Sequence, residues 1–144
     1  MAPRFVNVGI AVRDIEEAIA FFELLGLTVT GRAEVGGAWS DVAVDIDGNH
    51  ARIAMLELPD GSVQLELFEY LDDLAIETAP TRANEVGMHR LSFLVDDLDA
   101  TLAELADRGY HPLRGVARYE DLYRLTYLRG PSGIIVMLSE QLQP

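Results

Sequence analysis

The chain has 144 residues, enough for one compact domain or two small halves sharing a core, with an ordinary globular balance of 49% hydrophobic and 24% charged residues. Its 24 acidic residues against 11 basic ones leave a net charge of −13, a field that repels phosphate backbones and anionic lipid head groups and so argues against nucleic-acid and membrane-surface partners. Cysteine is absent, which excludes disulfide scaffolds, thiolate zinc sites and cysteine nucleophiles.

The opening stretch MAPRFVNVGI has no basic region followed by a long apolar run, and no later segment approaches the roughly 20 apolar residues that span a bilayer. A cytoplasmic, non-membrane protein is expected. Residues 7–12 alternate like a strand, with Val8, Ile10 and Val12 on one face and Asn7, Gly9 and Ala11 on the other. Asp14 can cap a helix, with Glu17 three residues on as the second half of a capping box. Ile15, Ile19 and Phe22 have helical spacing, and Gly26 stands where a helix ends in a left-handed residue. Strands are predicted over 27–35, 51–58 and 62–70, the last two joined by a Pro59-Asp60-Gly61 turn, while 39–47 reads equally as a short helix or a strand. Residues 71–86 read as a linker.

The pattern then repeats at an offset of 83 residues: Val12 falls on Val95, Asp14 on Asp97, Ala20 on Ala103 and Gly26 on Gly109. Leu91, Phe93 and Val95 form the apolar face of the new strand, with Arg90, Ser92 and Leu94 opposite. Leu98, Leu102 and Leu105 continue as a helix, and strands follow over 111–117, 122–129 and 133–139, with a turn at Gly130-Pro131-Ser132-Gly133. The reading is an α+β chain of one domain over 1–144. A β-α-β-β-β module at 4–70 is joined through 71–86 to a second at 87–140. One helix covers one face of each sheet. The uncovered faces can curl into a cleft, so the side chains opposite the helices are the place to look for chemistry.

The segments NVGIAVRDIEEAIAFFELLGL at 7–27, QLELFEY at 64–70, RLSFLVDDLDATLAELADRGY at 90–110 and YLRGPSGIIVMLSE at 127–140 resemble the vicinal-oxygen-chelate superfamily, which includes glyoxalase I, methylmalonyl-CoA epimerase, extradiol dioxygenases and bleomycin-resistance proteins. The resemblance implies tandem βαβββ modules with curled mixed sheets enclosing a cleft, and a homodimer. It also implies a divalent metal held by the first and last strands of both modules. At the corresponding positions this chain has Asn7, Glu66, Arg90 and Met137. Asn7 is a weak neutral donor, Arg90 a permanent cation and Met137 a soft thioether, so only Glu66 is a good ligand for a hard ion. No metal or other cofactor is therefore expected. A divalent ion would require Glu66 and His89, the neighbour of Arg90, to act together after a register shift. His50 and His111 lie beside turns and read as solvated.

If the cleft forms as the resemblance implies, Glu66 and Arg90 converge, and Arg90 supplies the charge a metal would bring. Arg90 could then steady a developing oxyanion while Glu66 moves a proton, with Asn7, Gln64, Ser92 and Met137 contacting the ligand. A structural ion pair closing an unused site is the equal alternative. Tyr119, Tyr123 and Arg124, in the Tyr- and Arg-rich run at 118–129, could line a pocket mouth or form a charged edge strand. Trp39, after Gly36-Gly37, could be a lid or a core anchor. The leading function is a small-molecule-binding protein or metal-independent enzyme. The alternatives are a metal-dependent lyase, isomerase or dioxygenase, a non-catalytic antibiotic-binding protein, and a protein-interaction module with a vestigial cleft.

Overall fold

A computed structural model describes residues 2–87 and 90–142. The chain divides into two compact units, the first running to Thr78 and the second beginning at Ala79.

The first unit contains β1 (Val8–Ala11), α1 (Ile15–Leu24), β2 (Thr28–Gly36), α2 (Ala38–Val44), β3 (His50–Glu57) and β4 (Gln64–Tyr70). Its sheet has the order β1-β4-β3-β2, with β1 parallel to β4 and the other pairs antiparallel. Asp14 caps α1 from an extended conformation and accepts the N–H groups of Glu16 and Glu17. This satisfies donors that a helix start leaves unpaired. Only that half of the expected capping box forms. Gly26, at φ +92°, lets the chain leave the helix and turn into β2. Ile15, Ala18, Ile19, Phe21 and Phe22 are buried, as are Ala54, Leu56, Leu65 and Leu67 on the sheet. Each large side chain among them contributes about 1.5–3 kcal/mol of burial, and together they make this unit's core. The helix-side rim is tied by the Arg32–Glu16 ion pair at 2.5 Å.

The second unit contains β5 (Arg90–Leu94), α3 (Leu98–Ala106), β6 (Ala117–Tyr119), β7 (Tyr123–Arg129) and β8 (Ile135–Gln141), with one 3-10 turn at Pro131–Gly133. The sheet order β5-β8-β7-β6 repeats that of the first unit, including its parallel pair. Asp97 caps α3 through the Ala100 N–H, and the Glu140 carboxylate on β8 accepts the Leu98 N–H at 2.7 Å. Leu98, Leu105, Leu128, Val136 and Leu138 are fully buried. Arg129 fastens the glycine turn by donating to the Gly133 carbonyl at 3.1 Å and to the Thr81 carbonyl at 2.8 Å.

Both units are thus mixed four-stranded sheets carrying a helix, an α+β arrangement of two repeated modules. Two local readings are revised. Residues 39–47 resolve into helix, as α2. The strand expected over 111–117 shrinks to Ala117–Tyr119. Pro112 has no N–H for a ladder, and that stretch is held to β7 by an isolated bridge to Leu128, a bond from the Leu113 N–H to the Tyr127 carbonyl and one from the Thr126 hydroxyl to the Gly115 carbonyl.

Candidate functional site

Registered partners share a face of a sheet, so the ladder sorts the side chains of the first unit without ambiguity. Glu66 stands beside Met55 and Gly9, Phe68 beside Ile53 and Ala11, and Tyr70 beside Ala51. All lie opposite the α1 face, to which Leu65 and Leu67 belong. Gly9 leaves room for the Phe68 ring, since a Cβ there would come within 3.0 Å of it. The Phe68 and Tyr70 rings lie nearly parallel, with centroids 6.2 Å apart and 14° between planes. Asn7 extends the line of β1 and donates its Nδ2 hydrogen to Glu66 Oε2 at 2.9 Å. Gln64, at the start of β4, is occupied by Glu57 at 3.3 Å.

A roof closes over this face. Gly37, at φ +97°, breaks β2 and starts α2, and the buried Ser40 hydroxyl donates back to the Gly37 carbonyl. At the other end Asp45 adopts a left-handed conformation, and the Asp41 carboxylate accepts the N–H groups of Gly48 and Asn49 at 2.9 and 2.8 Å. The loop is folded back onto β3 by these bonds. Beneath α2 lies a cavity of about 210 Å³, walled by Val35, Trp39, Ser40, Ala43, Val44, Asn49, Ala51, Ile53, Glu66, Phe68 and Tyr70. The walls carry one carboxylate and no basic group. Asn49 is 4% exposed, and its Oδ1 is buried without a hydrogen-bond partner.

In the second unit, the face away from α3 carries Arg90 and Ser92 on β5, Met137 and Ser139 on β8, and Leu125 and Tyr127 on β7. The Arg90 guanidinium lies 5.9 Å from the centre of the Tyr127 ring, a cation–π distance. Ser92 pairs with Met137, which pairs with Tyr127. Tyr119 and Tyr123 are register partners and line a hollow of about 300 Å³ with Leu125, Met137 and Ser139.

Several expected site residues are therefore grouped within their own unit: Asn7 with Glu66 in the first, and Arg90, Ser92 and Met137 together, with Tyr119 and Tyr123 nearby, in the second. Arg124 is placed elsewhere. It follows Tyr123 on the same strand, so it points to the other face, where it holds Asp99 of α3 with two bonds at 2.8 and 3.0 Å. Asp99 keeps the guanidinium pKa above its ordinary value, and Arg124 lowers that of Asp99. His50, expected to be solvated, is bonded through Nδ1 to Asp72 and through Nε2 to Glu34. His111 is exposed. His89 lies outside the described residues. Sequence reasoning missed Asn49, Phe68 and Tyr70. Phe68 and Tyr70 were accessible by extending the alternation from Glu66, but nothing local marks Asn49 as buried.

A family model described as Glyoxalase/Bleomycin resistance protein/Dioxygenase superfamily matches residues 7–127. Among solved structures, a glyoxalase family protein from Bacillus cereus is 35% identical, with a TM-score of 0.93 over 99% of this chain and 97% of the other. A glyoxylase/bleomycin resistance protein/dioxygenase domain from Frankia is 20% identical, with a TM-score of 0.65 over 98% and 99% of the two chains. The trypanothione-dependent glyoxalase I of Leishmania major is 15% identical, with a TM-score of 0.63 over 95% and 86%. These last two share the fold alone. Comparison with curated protein sequences gives no match. The extent of the model match and the identity to the Bacillus protein establish that the chain belongs to the glyoxalase/bleomycin resistance/dioxygenase superfamily.

Proposed function

We propose that this chain binds a small organic molecule under α2, anchored by Glu66, and works without a divalent metal. The observation that carries the reading is the roofed cavity with one carboxylate in an otherwise largely apolar wall. Such a balance of apolar lining and few polar anchors is what small-molecule sites have. Asn7 holds one Glu66 oxygen, and the other has no hydrogen bond among the described residues.

The metal-dependent members of the family hold their ion at positions that correspond here to Asn7, Glu66, Arg90 and Met137. The donor chemistry does not fit a hard cation. Asn7 turns its nitrogen, not its oxygen, to Glu66. Arg90 is a fixed cation lying on the Tyr127 ring, and Met137 offers only sulfur. No group of three or more His, Cys, Asp or Glu side chains suited to an ion occurs among the described residues. In this reading Arg90 and Ser92 serve the tyrosine-lined face of their own unit, and the protein is a homodimer.

Elemental analysis of protein purified without chelator, together with a ligand-observed NMR screen of small amines and neutral aromatics, tests the proposal. The expected result is no stoichiometric divalent ion, and hits that bind at least tenfold more weakly to Glu66→Gln. A stoichiometric ion, or hits indifferent to Glu66→Gln, would overturn it.

A further inference from the structure

The second sheet sorts its charges by face. On the side of Arg124, that guanidinium is held by Asp99, its register partner Arg118 is bonded to Asp121, and the Glu140 carboxylate accepts the Leu98 N–H. The opposite face has a cation without such a neighbour. Arg90 lies on the Tyr127 ring and has no ion-pair partner among the described residues. The hollow walled by Tyr119, Tyr123, Leu125, Met137 and Ser139 has no carboxylate in its wall. A second hollow of about 390 Å³ has Leu125 and Tyr127 in its own wall, and it adds Arg114 and again no carboxylate. In a chain with 24 acidic residues to 11 basic ones, this is a local reversal of sign. A face of that kind draws anions to itself.

The ladder relates Arg90 to the first of these hollows. The strand order puts β8 between β5 and β7, so Arg90 reaches across β8 to meet Tyr127. Met137 of β8 is the register partner of both Ser92 and Tyr127, and it is also a wall of the hollow. The guanidinium therefore stands at the Met137 end. From there the hollow follows β7 past Leu125 to Tyr123, four residues from Tyr127, or about 14 Å at the usual rise. That is room for a ring and a short side arm.

We propose that this face of the second unit is a binding site of its own, and that its ligand is an aromatic carboxylate. The carboxylate pairs with Arg90, and the ring lies in the hollow against Tyr119, Tyr123, Leu125 and Met137. The anion is called for by a cation in walls without acid, and a guanidinium engaged with a ring keeps N–H donors whose planar fork matches a carboxylate. The ring is called for by two tyrosines, a leucine and a thioether, all of which favour an aromatic partner. The site lies wholly on the second unit and does not rest on the Glu66 anchor.

Three probes separate these requirements: phenylacetate has the charge and the ring, phenylacetamide the ring without the charge, and acetate the charge without the ring. Titration calorimetry on the wild-type chain near neutral pH is expected to show phenylacetate binding at least about tenfold more tightly than either of the others. In Arg90→Met its affinity should fall to that of phenylacetamide, with the fold checked by circular dichroism. In NMR spectra of protein with methyl-labelled methionine, the Met137 signal, assigned through Met137→Leu, should move farthest as phenylacetate is added. Equal wild-type affinities for phenylacetate and phenylacetamide would overturn the role of Arg90, and equal affinities for phenylacetate and acetate would overturn that of the hollow. A preference that survives in Arg90→Met, or a larger shift at Met55, which stands beside Glu66, would overturn the assignment. Binding of none of the three overturns the ligand class. The Glu66 anchor is decided by the amine screen, so the two sites fail or stand separately. The wild-type comparison is decisive even if the variant does not fold.

Discussion

At the scale of single residues, the ionisable side chain with the most exposed consequence is His50. It bridges Asp72 and Glu34, joining the start of β3 to the turn after β4 and to the end of β2. Its pKa is raised above the ordinary 6.5, first by the hydrogen bond to Asp72, with desolvation opposing it and the charge of Asp72 and the bond and charge of Glu34 adding to it. A group whose pKa is higher folded than unfolded adds stability that is complete below the unfolded value and fades as pH climbs through the folded one. The melting temperature of the wild type should therefore exceed that of His50→Gln most between the carboxylate range near pH 4 and about pH 6.5. The difference should shrink as pH rises past neutrality. Melting curves of both proteins across that range, by circular dichroism, check it. A difference that grows with pH would mean that His50 is held neutral. The same bookkeeping of faces explains Arg124. Adjacent strand residues point to opposite sides, so Tyr123 and Arg124 could never have lined one hollow together.

At the scale of elements, helix starts are where sequence and structure agree most closely. Asp14 and Asp97 were recognisable as caps because each stands between an alternating stretch and a helical one, and both bond to N–H groups of the following turn. The second support of α3 was illegible. Glu140 lies 42 residues from Leu98 in the chain, and only the pairing of β5 with β8 brings its carboxylate to the helix end. Asp97→Ala is expected to cost about 1 kcal/mol, the usual worth of such a cap. Asp97→Ala combined with Glu140→Ala should cost more than Asp97→Ala alone, as urea denaturation will show. If Glu140→Ala adds nothing, the contact from β8 is ornamental. Elsewhere the limit was set by chain chemistry that periodicity does not register. Residues 39–47 alternate weakly enough to suit either element, and what decides for α2 is the Gly37 break and the Asp41 bonds to the loop beyond. Residues 111–117 follow a helix where the first module has a strand, yet Pro112 cannot join a ladder. Asn49 could not be foreseen as buried, because its burial is a product of how that loop folds back.

At the scale of the whole molecule, the two units share strand order, parallel pair, caps and left-handed glycines at Gly26 and Gly109, as the 83-residue repeat implies. They differ at the edge strand and its connections: α2 roofs the first sheet between β2 and β3, whereas in the second a longer run, 107–116, leads from α3 into a short β6 and only residues 120–122 connect β6 to β7. No helix among the described residues is long and apolar enough to cross a membrane. The net charge of −13 is spread over a small chain, so self-repulsion opposes compactness. Salt shortens its reach to about 8 Å at 0.15 M and further above that. The melting temperature is expected to rise with sodium chloride over the first few hundred millimolar, by differential scanning calorimetry. A fall would mean that the surface pairs, such as Arg13 with Glu77, matter more than the excess of acid. The roof has one more consequence. Trp39, the chain's single tryptophan, stands in α2 at the cavity wall and is 66% exposed. All indole emission from this protein therefore comes from one place, beside the proposed ligand. A molecule entering the chamber would shift or quench the whole signal, so the wild-type chain carries its own optical reporter of occupancy.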